Sequence, residues 1–256
     1  MLRSFCGESF DIIVQAGQSN SDGTGYGNAK RPFQPDGRIW YLLGDGTFLP
    51  AAERVQGNAV CGDFSLAFAQ SYIKGNLLAP DRKLLIIRSA VGGTGFADKR
   101  WGLRDDLFLR MTRLTADALA LSPRNRLKAL LWHQGENDAS AKAGYDTHRA
   151  NLLGLLQHFR AAYGDVPFVA GDFVQQWIAE NKAICAPIVA AIRAVCQEAQ
   201  PAAFVETIGL QSNAEALGDC DTIHFCRQSL YELGERYFEA FLTVYKCDSA
   251  KRENNP

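Results

Sequence analysis

The chain has 256 residues, 47% apolar and 21% charged, the balance of a globular protein large enough to fold without disulfides or metals. Lysine plus arginine total 27 against 28 aspartates and glutamates, a net charge of -1. That excludes a broad basic surface for nucleic acid or anionic lipid, and no run of about 18 apolar residues offers a membrane span.

The segment Met1–Ser9 has no apolar stretch and carries Glu8, which makes a poor export signal. The expectation is a cytoplasmic chain, with secretion left open should a leader precede Met1. Beyond it, short apolar runs alternate with segments of helical period. Asp11–Ala16 predicts a first strand, Phe64–Lys74 a helix and Lys83–Arg88 a second strand. Leu107, Met111, Leu114, Ala118 and Leu121 recur at spacings of four and three, the stripe of an amphipathic helix. Leu127–Trp132 predicts strand three. A helix carrying Tyr145, Leu152, Leu156, Phe159 and Tyr163 follows, then strand four at Val166–Ala170. Pro187 sits early in a helix running to about Glu198, and Ala203–Glu206 predicts a short fifth strand. The last helix has Leu230, Leu233, Tyr237, Phe241 and Val244 on one face. Strands apolar on both faces suit a parallel sheet covered by helices on each side. The β-α alternation therefore predicts one domain over residues 1–247, an α/β fold with a mostly parallel five-stranded sheet and right-handed crossovers. The polar stretch 248–256 reads as a frayed tail.

In such sheets ligands bind beyond the carboxyl ends of the strands, so the residues after each strand carry the functional signal. After strand one comes Gly17-Gln18-Ser19-Asn20. Glycine permits a sharp turn, and a serine at the start of the next helix points its hydroxyl into the crevice beside backbone N–H groups. The commoner role for such a serine is an N-cap. After strand two, Val91-Gly92-Gly93-Thr94 lets the backbone approach a ligand closely. After strand three, His133-Gln134-Gly135-Glu136-Asn137-Asp138 packs polar groups that must bond each other or a ligand. Gln134 or Asn137 offers an amide to an oxyanion. A metal reading of His133, Glu136 and Asp138 lacks a second histidine at helical spacing. Before the last helix, Asp221 precedes His224 by three residues, close enough for the carboxylate to orient the imidazole and leave Nε2 as a base. Of the other histidines, His148 and His158 fall within a predicted helix and read as solvated, and His133 reads as a neighbour of the crevice. The seven cysteines are an odd number without zinc spacing and read mostly as buried thiols. Whether Cys220 and Cys226 pair stays open.

Taken together, the blocks Gly17-Gln18-Ser19-Asn20, Val91-Gly92-Gly93-Thr94, Trp132-His133-Gln134-Gly135-Glu136-Asn137-Asp138 and Asp221-Thr222-Ile223-His224 resemble the SGNH hydrolase superfamily. More narrowly they resemble its sialate O-acetylesterase and carbohydrate esterase family 6 (acetylxylan esterase-like) branch. The resemblance spans Gly17 to His224. It implies a flavodoxin-like three-layer α/β/α sandwich and removal of acetyl groups from sugars, without metal or cofactor. It implies Ser19 as nucleophile, His224 as base and Asp221 as the acid that holds it. The amides of Ser19 and of Gly92 or Gly93 would form the oxyanion hole with a side-chain amide of the third block. There Gln134 is preferred over Asn137, with Gln18 and Glu136 in support. The implied partner is an acetylated saccharide, of acetylxylan or sialic-acid type. The sequence does not fix which sugar or the oligomeric state. The alternatives are a lipase or thioesterase acting on a longer acyl ester, and a non-catalytic sugar-binding relative. Trp101, Phe96 and Tyr26 are aromatic candidates for the pocket lining.

Overall fold

Apolar residues at nearly every position of the first strand place it in the middle of a sheet covered on both faces. In the computed structural model all eight residues of β1 (Phe10–Gly17) are buried. The structure describes residue 5 and residues 7–253, with side chains as far as Tyr245. The expectations for Met1–Ser4, for Cys6 and for residues 254–256 lie outside the described residues.

β1 runs into a one-turn helix, α1 (Ser19–Asp22). Four short strands follow: β2 (Ile39–Leu42), β3 (Phe48–Pro50), β4 (Arg54–Gln56) and β5 (Ala59–Cys61). Then come α2 (Phe64–Lys74), β6 (Lys83–Arg88), α3 (Asp106–Ala120), β7 (Arg126–His133), α4 (Glu136–Ser140) and α5 (Tyr145–Tyr163). The chain ends with β8 (Phe168–Gly171), α6 (Gln175–Glu180), α7 (Lys182–Glu198), β9 (Ala202–Val205), α8 (Asn213–Leu217) and α9 (Arg227–Glu253).

The main sheet has seven strands in the order β3-β2-β6-β1-β7-β8-β9, parallel except for the antiparallel β2–β3 pair. The five expected strands are β1, β6, β7, β8 and β9. The sheet count of five is corrected by β2 and β3, of four and three residues, too short to show a period in the sequence. β4 and β5 form a separate hairpin. α2 packs on α9, α5 packs on α7, and α3 lies over β1 and β6. Helices on both faces of the sheet complete the three-layer α/β/α sandwich. α9 continues to Glu253, beyond the expected start of fraying at Asp248. Ala250, Lys251, Arg252 and Glu253 are good helix formers.

This topology places the site. β1 lies between β6 and β7, so the residues that follow these three neighbouring strands share one edge of the sheet. Gly17 pairs with His133, which aligns the ends of β1 and β7.

Candidate active site

Gly17 has φ +126°, and a Cβ placed there would lie 2.1 Å from the His133 carbonyl oxygen. Only glycine lets β1 end this close to β7 and turn at once into α1. Ser19 is the first residue of that helix, so its backbone N–H has no intrahelical acceptor. Ser19 is 7% exposed, reachable from one side only.

The loop before α9 brings His224 to it. His224 Nε2 is 2.8 Å from Ser19 Oγ, and Nδ1 is 2.9 Å from both oxygens of Asp221. The His224 backbone N–H also donates to Asp221 Oδ1 at 3.2 Å. Burial by itself would raise the Asp221 carboxyl, but the Asn213 amide and His224 outweigh it and hold the group below the usual carboxylate range. An ionised Asp221 only accepts, so the imidazole proton sits on Nδ1 and the Nε2 lone pair faces the serine hydroxyl. Such a chain can draw the proton off the hydroxyl as it attacks an electrophile.

Two asparagines that the sequence reading leaves without a role hold this loop. Asn213 is fully buried and donates to Asp221 Oδ2 at 2.9 Å and to the Thr24 carbonyl at 3.1 Å. Asn20 donates to the Ile223 carbonyl at 3.0 Å and accepts from the Phe225 N–H at 3.1 Å, gripping both peptides that flank His224. Asn20 also donates to Glu136 Oε1 at 2.8 Å. Gln18 is buried, and its side-chain oxygen accepts the Asn137 N–H at 3.1 Å, which ties the serine turn to the start of α4. A sequence signal existed for Asn213 alone: it begins α8 behind a capping box made by Ser212 and Glu215.

The glycine pair and the third block close the other side. A Cβ on Gly92 would lie 3.7 Å from Ser19 Cβ, so the Gly92 backbone rests against the serine. Gly93 turns away with φ +69°, and its carbonyl accepts from Asn137 Nδ2. Gln134, preferred over Asn137 as the side-chain donor, faces acceptors of the chain itself. Gln134 is fully buried, and Nε2 donates to Asp138 Oδ2 at 2.9 Å, with Gln18 Oε1 and the Thr94 carbonyl each at 3.4 Å. Only the Asp138 contact is short, so one Gln134 hydrogen is firmly engaged and the other lies between two more distant acceptors. Asn137 is half-buried and has one N–H beyond the Gly93 contact.

The remaining residues of the block build a support. Asp138 accepts from the Ala97 N–H at 2.7 Å, the Phe96 N–H at 3.3 Å and His148 Nδ1 at 3.1 Å. Burial pushes its carboxyl up, but His148 and these donors prevail and lower it. His148, expected on a solvated face, is therefore a buried partner of Asp138, whereas His158 is exposed. The metal reading fails on direction: Asp138 points to His148 while Glu136 faces His133. Cys220 is exposed and Cys226 buried, and both are free thiols. Trp101 is fully buried and Phe96 nearly so, which makes them core rather than pocket lining, and Tyr26 is half-buried.

The model of one protein family, carbohydrate esterase, sialic acid-specific acetylesterase, matches residues 9–243. The chain belongs to that family. Family membership makes it a carbohydrate O-acetylesterase, a carboxylic ester hydrolase. Solved structures share the fold at low identity. The structure of NanS superposes with a TM-score of 0.77 at 18% identity, over 93% of this chain and 98% of that one. A protein from Arabidopsis thaliana superposes at 0.70 with 19% identity, over 92% and 98%. A carbohydrate acetylesterase from Xanthomonas citri reaches 0.59 with 15% identity, over 92% of this chain and 57% of that one. No curated protein matches this carbohydrate esterase by sequence. Among its described residues no helix is long and apolar enough to cross a membrane.

Proposed function

We propose that this carbohydrate esterase cleaves acetylated saccharides with Ser19 as nucleophile, through an acetyl-enzyme. The 2.8 Å contact between Ser19 Oγ and His224 Nε2, with Asp221 behind the ring, carries the reading. Ser19 Oγ attacks the ester carbonyl carbon while its proton passes to His224 Nε2. Asp221, held ionised, stabilises the imidazolium that forms. The oxyanion is met by the N–H groups of Ser19 and Gly92 and by the spare N–H of Asn137. Collapse breaks the bond to the sugar oxygen, which takes the proton from Nε2 and leaves as the free hydroxyl. Water, its proton taken by the same imidazole, then attacks the acetyl-enzyme; acetate is released and the proton returns to Ser19 Oγ. The side chains of His224 and Asp221 are 25% and 27% exposed, which supports entry of that water.

The test is hydrolysis of 4-nitrophenyl acetate and of a panel of acetylated saccharides by wild type and by Ser19→Ala. Loss of turnover in Ser19→Ala, with labelling of wild-type Ser19 by a serine-directed phosphonate, is expected. Equal rates in both proteins overturn the reading. Turnover of the wild type on esters of increasing acyl length separates an acetyl pocket, which rejects long chains, from a lipase-like one.

A further inference from the structure

Beneath the catalytic loop lies a buried pair that the proposed mechanism does not use. Tyr237 Oη donates to the Trp132 carbonyl at 2.8 Å, so it must accept from His133 Nδ1, 3.0 Å away. The His133 proton is thereby assigned to Nδ1, which leaves a lone pair on Nε2. That lone pair faces Glu136, with Oε1 at 3.6 Å. Among the described residues, neither His133 Nε2 nor Glu136 Oε2 has a hydrogen-bond partner, and both residues are fully buried. A carboxylate opposite a bare lone pair in a dry site repels it, and each unmet group carries a desolvation cost. One proton on the carboxyl removes the repulsion. The converse arrangement, imidazolium beside carboxylate, separates charge in a buried site, where Asn20 donates to Oε1 but Oε2 has no donor among the described residues.

We propose that Glu136 is held as a neutral carboxylic acid facing His133 Nε2, and that in this form it is a positioning residue for the catalytic loop. The link to catalysis is Asn20. Its amide donates to Glu136 Oε1 and to the Ile223 carbonyl, and its carbonyl receives the Phe225 N–H. With both side-chain hydrogens and the oxygen engaged, Asn20 has one orientation, and it sets His224 against Ser19. A neutral Glu136 also leaves no buried negative charge to compete with Asp221 for the His224 imidazolium. The ionisable groups around Glu136 are His133 on β7, His224 on the catalytic loop, Asp138 on α4, Cys185 on α7 and Tyr237 on α9. Burial acts in the same sense on both partners, pushing the Glu136 carboxyl up and His133 down to about 3.

The inference rests on the serine-esterase reading for its kinetic arm only. The deciding measurement is NMR of the wild-type protein, with the Glu136 carboxyl carbon assigned by comparison with Glu136→Gln. The carboxyl resonance is expected at its protonated position at neutral pH, with His133 as the neutral Nδ1–H tautomer. A carboxylate resonance at neutral pH, or an imidazolium His133, overturns the proposal whatever the esterase activity. In kinetics, Glu136→Leu and Asn20→Ala are each expected to lower kcat by about 10²-fold through misplacement of His224, with KM changed little. Glu136→Gln reproduces the neutral acid, since it is uncharged, presents N–H₂ rather than a carboxylate to His133, and its oxygen can accept from Asn20. It is expected to recover most of the kcat lost in Glu136→Leu, and an activity as low as that of Glu136→Leu overturns the proposal. If the wild type hydrolyses no ester, the serine-esterase reading fails, and the NMR result still decides the state of Glu136.

Discussion

Replacing Asn137 by alanine separates two neighbouring amides that the sequence alone treats as rivals. Asn137 Nδ2 has two hydrogens, of which one reaches the Gly93 carbonyl and the other points to no acceptor in the structure's contacts. Removing a side-chain donor from an oxyanion hole costs about 10²- to 10³-fold in kcat, roughly 3–4 kcal/mol. Part of that loss would come from release of the Gly93 carbonyl, so the lower end is expected here. Gln134→Ala has the opposite signature. It strips the Asp138 carboxylate of a 2.9 Å donor in a fully buried site. That should lower folding stability by about 2 kcal/mol while changing kcat less than tenfold. The assay pairs steady-state hydrolysis of 4-nitrophenyl acetate with urea unfolding followed by circular dichroism. The placement of Asn137 as the oxyanion donor is refuted if Asn137→Ala turns over at the wild-type rate. It is equally refuted if Gln134→Ala loses about 10²-fold in kcat at unchanged stability.

Asp221→Asn keeps the shape but no longer fixes the proton on His224 Nδ1, and kcat is expected to fall by roughly 10⁴-fold in the same assay. Gly17→Ala must fit a Cβ that sits 2.1 Å from a backbone oxygen at φ +126°, so it should lose at least about 3 kcal/mol in urea unfolding. A normal midpoint would show that β1 and β7 can move apart. Asp138 has its carboxyl lowered in the folded state, so its stabilisation is full above the unfolded value of about 3.9 and is lost as pH falls through the folded one. Asp138→Asn should therefore be less stable than wild type at pH 7 by about 3 kcal/mol, with the gap narrowing in acid. A gap that stays constant with pH would contradict that assignment.

The legible parts of the fold are those where neighbours in sequence settle the matter. β1, β6 and β7 announce themselves because a strand covered on both faces must be apolar throughout. β2 and β3 stay hidden because three or four residues define no period, and the place of β2 beside β6 depends on residues more than forty positions away. Local spacing likewise exposes the turn at Gly17 and the Asp221–His224 pair, since each is built within one turn of chain.

The supports of the site were out of reach for a common reason. Asn20 grips Ile223 and Phe225 across about two hundred residues, and Asp138 meets Ala97 and His148 from different elements. Spacing says nothing about such partners. Glu136 reads from sequence as one more polar residue in a block, and only the hydrogen-bond accounting around His133 gives it a protonation state.

Composition and motif order alone thus determined an α/β protein of near-zero net charge with a serine, a glycine pair and an Asp-x-x-His at one sheet edge. Tertiary structure decided the direction of each side chain within the third block: Gln134 turns inward to Asp138 and Asn137 outward to Gly93. The two lie three residues apart around the start of α4, so the bend at Gly135 and the packing beneath it assign one amide to the core and the other to the crevice. A hydrogen bond depends on distance and direction in space, and a sequence specifies those only after the chain has folded.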